Sequence, residues 1–159
     1  MAALTEESIR RLLAADPVVR GKLRWKTRGV RVRARMEVDN AMGEPMMIEM
    51  HISAQNPSSY SIALVWDRRP IKRLDVRGRH TNVCDGSGER WRWQTHKHPF
   101  TDQYQLAQAY TPHDIPPTPG FDVGRDEYRE VFEAFCRECN IRLEYDWLDP
   151  PFDGEQLAL

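Results

Sequence analysis

The chain has 159 residues, 40% of them apolar and 30% charged, which is the size of one domain with enough apolar material for a core. A mean hydropathy of −0.68, and no apolar run near the roughly 20 residues a spanning helix needs, argue against a membrane protein. The opening residues lack the basic and apolar stretches of a secretory signal, and the three cysteines, Cys84, Cys136 and Cys139, cannot all pair within one chain; a reducing cytoplasm is the expected location.

The net charge of −1 hides an asymmetry. Residues 1–100 hold 19 Lys and Arg against 11 Asp and Glu, whereas residues 101–159 hold 4 against 13. Two readings are open. Either an acidic C-terminal helix lies against a basic sheet, or a basic face meets phosphate and the acidic part covers it or meets another protein.

In chain order, Thr5 can cap a helix whose first turn carries Glu6 and Glu7, with Leu4 and Ile9 at the spacing of a hydrophobic staple. Ile9, Leu12 and Leu13 form its stripe, and Pro17 ends it. From Lys22 the period becomes two. Residues 22–28 read as one strand, and after Gly29 Val30, Val32, Ala34, Met36 and Val38 alternate with Arg31, Arg33, Arg35, Glu37 and Asp39. Residues 39–43 are a turn. Met46, Ile48, Met50 and Ile52 then face inward, residues 60–66 are apolar on both sides and therefore central, and residues 71–77 follow a turn at Pro70. Residues 78–124, rich in His, Pro and Gly, are expected to be irregular, with Asp85-Gly86-Ser87-Gly88 as a hairpin turn. Residues 125–139 return to helical spacing, residues 141–147 alternate like a final strand, and residues 148–159 read as a loose tail. The expected fold is therefore a single α+β domain over 1–159. It consists of an antiparallel meander of about five or six strands, an N-terminal helix and a C-terminal amphipathic helix.

The densest polar chemistry lies between Arg73 and His98. Arg73, Asp75 and Arg77 alternate, so a regular strand projects them together with Asp75 between two guanidinium groups. Arg79, His80 and Asn82 follow, and His96 and His98 share a face if residues 91–98 are extended. Metal-independent phosphodiester cleavage needs a base near neutral pKa, an acid for the leaving oxygen and cations for the developing charge. His80, His96 and His98 are the proton-transfer candidates, Arg73, Arg77 and Arg79 the phosphate holders, and Asp75 the group that orients them. The plain alternative is an Asp75 that only satisfies its arginines, beside idle surface histidines. A metal site from His96 and His98 with His80 and Cys84 matches no familiar zinc spacing, so neither metal nor cofactor is expected. Cys136 and Cys139 fall on the apolar helix face and read as core. The stripe Arg31, Arg33, Arg35 is either a solvated sheet face or a backbone-binding surface for nucleic acid.

The run from Leu74 to Asn82, then Thr95-His96-Lys97-His98, then Ala109-Tyr110-Thr111-Pro112 resembles a group of small uncharacterised bacterial proteins. That group is similar in layout to the toxin half of TumE-type toxin–antitoxin pairs. The resemblance covers residues 71–112 and departs in the N-terminal hairpin. It implies a bacterial or phage-borne protein, RNA as target and a cognate antitoxin as partner, and it brings no catalytic residues with it. The expected function is thus a nucleic-acid-directed protein of a toxin or defence module, acting as a metal-independent ribonuclease. The alternative is a non-catalytic interaction protein that uses its basic sheet face.

Overall fold

A computed structural model describes residues 4–113 and 126–152. Local chemistry starts the first helix, α1 (Glu6–Leu13). The Ser8 N–H donates to Thr5 Oγ1 at 3.1 Å and the Thr5 N–H donates to Ser8 Oγ at 2.9 Å, so two otherwise orphaned donors are satisfied reciprocally. The stripe residues Ile9 and Leu12 are buried beneath it.

The strands are β1 (Val18–Lys22), β2 (Trp25–Arg28), β3 (Arg31–Asp39), β4 (Met46–Ser53), β5 (Asn56–Trp66), β6 (Arg69–Thr81), β7 (Arg90–Pro99) and β8 (Arg142–Asp146), with α2 (Glu127–Glu138) before the last. They form one eight-stranded sheet in the order β7-β6-β5-β4-β3-β1-β8, with β2 also paired to β3. The run β3 to β7 is the expected antiparallel meander. The chain ends then close the other edge. β1 pairs antiparallel with the end of β3, β2 pairs with its start, and β8 lies parallel to β1. The sheet is therefore mixed, and it has more strands than the five or six expected.

Two further expectations are corrected. The single strand over residues 22–28 is divided between β1 and β2, which meet different parts of β3. Residues 78–124 are not irregular throughout, because 78–81 extend β6 and 90–99 form β7. The glycines there make the hairpin turn and one close approach, and the aromatic and β-compatible residues of 91–98 carry the pairing. Residues 114–124 of that segment and 153–159 of the expected tail lie outside the described residues.

One sheet face carries the core. Ala34, Met36, Ile48, Met50, Ile62 and Leu74 are all buried there, together with Val131, Phe132, Phe135 and Cys136 of α2. Burial pushes the Cys139 thiol up to about 12 and raises that of Cys136 as well, so both remain protonated core groups. Charge also crosses this interface. Arg77 of β6 pairs with Glu127, while Lys72 and Lys97 both reach Glu138. The acidic helix thus lies against basic strands, as the first of the two charge readings has it. No helix among the described residues is long and apolar enough to cross a membrane.

Candidate functional site

The sheet face away from the helices carries two polar rows, set by cross-strand register. Arg33, His51, Ser61, Asp75 and His96 stand opposite one another in turn from β3 to β7. The neighbouring row runs Arg35, Glu49, Ala63, Arg73 and His98. Side chains directly opposite in adjacent strands are close neighbours, so register alone joins Asp75 to His96 and Arg73 to His98.

A β-bulge interrupts the alternation just beyond. From Asp75 to Gly78 β6 advances three residues, while β7 advances two from His96 to Gln94. The extra residue puts Val76 and Arg77 on the same side, and Arg77 takes a left-handed φ of +48°. Arg77 therefore does not share the face of Asp75 and is not placed to hold phosphate. It is 2% exposed and lies under α2, where its guanidinium grips Glu127 at 2.7 and 2.8 Å and donates to Ser58 O at 2.9 Å. Gly78 occupies the open-face position that a regular strand would have given to Arg77.

A side chain at Gly78 would not fit. Its Cβ would stand 2.9 Å from Asp75 Cβ and 3.0 Å from His96 Cε1. Gly78→Ala is expected to lower stability by about 1–3 kcal/mol, the usual penalty of overpacking. Urea unfolding measures this, and an unchanged midpoint would mean that Asp75 and His96 yield freely.

Asp75, His80, His96 and His98 come together. The His98 Nε2 lies 3.1 Å from Asp75 Oδ2 and the His96 Nε2 lies 3.4 Å from the same oxygen. The His80 ring packs edge-on against His98 at 4.6 Å between centroids and lies over His96 at 5.7 Å. Trp91 backs His96 at 5.6 Å. Arg73 Nη2 reaches Asp75 Oδ2 at 2.8 Å and His98 Nε2 at 2.9 Å. Arg79 instead turns outward, its guanidinium 4.0 Å over the Trp93 ring.

The two central histidines have their orientation set by backbone. His96 Nδ1 bonds Gln94 O at 2.9 Å and His98 Nδ1 bonds Leu106 O at 2.9 Å. A carbonyl only accepts, so each Nδ1 carries the proton. The Leu106 carbonyl belongs to the segment after β7, which folds back along that strand through paired bonds between Lys97 and Tyr110 and is tied to the end of β6 by the Asn82 side chain on Ala109. It covers the edge of the cluster and leaves His96 and His98 0% and 1% exposed. They are therefore not open proton-transfer groups of the kind expected from the sequence. His80 is only partly buried, and its Nε2 lies 3.1 Å from both Asn82 Oδ1 and Ala107 O. Burial first, and then neighbouring His98, lower its pKa, so the ring is neutral at pH 7.

Burial alone would raise the Asp75 carboxyl, but the two histidines and then Arg73 outweigh it and hold Asp75 well below the usual carboxylate range. Asp75 is thus the fixed negative charge of the site. Among the described residues, the metal-ligating side chains that converge here are Asp75, His96 and His98, with their ligand atoms within 4.8 Å of one another. His80 and Cys84 are not in that group.

The basic stripe is only partly available. Glu49, which sequence reading passed over, accepts from Arg33 at 2.7 Å, Arg35 at 2.6 Å and His51 at 3.1 Å. Arg31 instead lines a groove of about 410 Å³ whose other walls include His51, Ser59, Ser61, Asp75, Gly78 and Arg79. A second hollow of about 270 Å³ lies between Arg79, Arg90 and Arg92. Besides Glu49, Gly78 and Ser61 were missed. Only their cross-strand positions reveal them, because no motif marks them. No family model, curated protein or solved structure matches the chain.

Proposed function

We propose that the chain binds single-stranded RNA along the open face of its sheet and acts on it beside Asp75, His96 and His98. The observation that carries this reading is the groove itself. Arg31 and Arg79 stand at its walls, serine hydroxyls line it, and Asp75 marks where it meets the histidine cluster. Cations at the rim suit phosphates, and hydroxyls suit the bonds that position a sugar–phosphate backbone. The exposed Trp93 beneath Arg79 adds a stacking surface at the same end. A toxin or defence module, with an antitoxin as protein partner, belongs to the same proposal and rests on the TumE-type resemblance.

Fluorescence anisotropy with a labelled RNA oligonucleotide at several salt concentrations tests it. Affinity is expected to fall steeply with salt, and Arg31→Gln with Arg79→Gln to lower the salt slope by about two, one for each lost phosphate contact. Arg33→Gln with Arg35→Gln should do less, because Glu49 already holds both. Absence of binding by the wild type at low salt ends the reading. A second reading, binding without cleavage, is favoured by the burial of His96 and His98. Gel analysis of the bound RNA separates the two.

A further inference from the structure

We propose that Asp75, His96 and His98 form a binding site for one divalent transition-metal ion of the chemical class of zinc, with an open coordination position toward the groove. The donor set comes first. Each imidazole commits its Nδ1 to a backbone carbonyl, Gln94 O or Leu106 O, which leaves Nε2 facing inward as the atom that would ligate an ion. Such outer bonds fix the tautomer and raise the basicity of metal-ligating histidines.

Distance agrees with that chemistry. The two Nε2 atoms stand 3.4 and 3.1 Å from Asp75 Oδ2. Ligand bonds of 2.0–2.1 Å in a tetrahedron place neighbouring ligand atoms about 3.3 Å apart. Burial supplies an independent argument. His96 is 0% exposed, and its Nε2 has no hydrogen-bond partner. A buried ring nitrogen left without a partner is costly, and an ion held between it and the carboxylate satisfies both.

Arg73 marks the same need for positive charge. Its Nη2 lies 2.8 Å from Asp75 Oδ2 and 2.9 Å from His98 Nε2 but serves no bond to His96 Nε2. The Arg73 side chain is 39% exposed, so it can swing to solvent when an ion enters. Two imidazoles with one carboxylate favour zinc-like ions over magnesium or calcium, which prefer all-oxygen sites. Three protein ligands rather than four leave a position open, as in catalytic zinc sites. Asp75 is the ligand that lines the groove, so that position lies on the groove side of its carboxylate.

The test needs no RNA, so its outcome is independent of the proposed function. Full-length protein is stripped with chelator and titrated calorimetrically with zinc chloride, then with magnesium chloride. One zinc per chain, a raised melting temperature and no saturable magnesium binding are expected. Loss of an outer-shell partner typically costs 10–100-fold in affinity, so His98→Ala or Asp75→Asn should weaken zinc by roughly 100-fold or more. Arg73→Gln should tighten it, because the competing guanidinium is gone. Cobalt-loaded wild type should show the intense visible bands of a four- or five-coordinate ion, a readout that holds if a ligand variant fails to fold. The proposal is overturned if neither wild type nor Arg73→Gln binds zinc saturably. Zinc binding that survives His98→Ala and Asp75→Asn together, or a pale six-coordinate cobalt spectrum, overturns it equally.

Discussion

Ile62→Asp is expected to abolish cooperative unfolding. Ile62 is fully buried in β5, directly opposite Met50 of β4 and Leu74 of β6, which are buried as well. The substitution removes the roughly 1.5–3 kcal/mol that burial of such a side chain contributes. It then places a carboxyl where neither cross-strand neighbour can pair with it, and the group must be buried charged or bind a proton at a further cost. Together these effects exceed about 4–5 kcal/mol, which approaches the whole stability of a small domain. Circular dichroism during urea titration measures it. A sigmoidal transition near the wild-type midpoint would show that β5 is not the interior strand of the core.

Glu127→Ala is expected to cost about 3–5 kcal/mol, the range for breaking a buried ion pair on one side. Glu127 accepts two bonds from the Arg77 guanidinium and one from Tyr60 Oη at 2.8 Å. Removing it strands a cation that is 2% exposed. The double change Arg77→Met with Glu127→Met should recover most of that loss, since an apolar pair leaves no uncompensated charge. Chemical denaturation of the wild type, both single variants and the double variant forms the cycle. A loss below about 1 kcal/mol for Glu127→Ala would mean that Arg77 is adequately held by Ser58 O and other groups.

Several features of the site follow from these same packing choices. The bulge that turns Arg77 under α2 also brings Gly78 to the open face. One local irregularity thus anchors the C-terminal helix and packs Gly78 closely against Asp75 and His96. The same sheet separates the two functions of charge. On the helix face Glu127 pairs with Arg77 and Glu138 with Lys72 and Lys97. On the other face Glu49 engages both Arg33 and Arg35, while Arg31 and Arg79 line the groove.

By itself the sequence determined what depends on local periodicity. The capped helix at Thr5, the alternating strands from Val32 to Leu74, the interior position of residues 60–66 and the apolar stripe of α2 are all legible there, because side-chain direction repeats every 2 or 3.6 residues. That Asp75, His96 and His98 belong to one dense run of titratable groups was legible too. Tertiary structure alone decided how they are arranged. Register across β6 and β7 set Asp75 against His96, and the segment after β7 supplied the Leu106 carbonyl that orients and buries His98. The bulge sent Arg77 to the opposite face, against the alternation on which the sequence reading relied. The parallel pairing of β1 with β8 joins residues more than a hundred positions apart. Periodicity is a property of neighbouring residues, whereas register, bulges and edge closure are settled by contacts between distant strands, and no pattern within one strand records which partner it will meet.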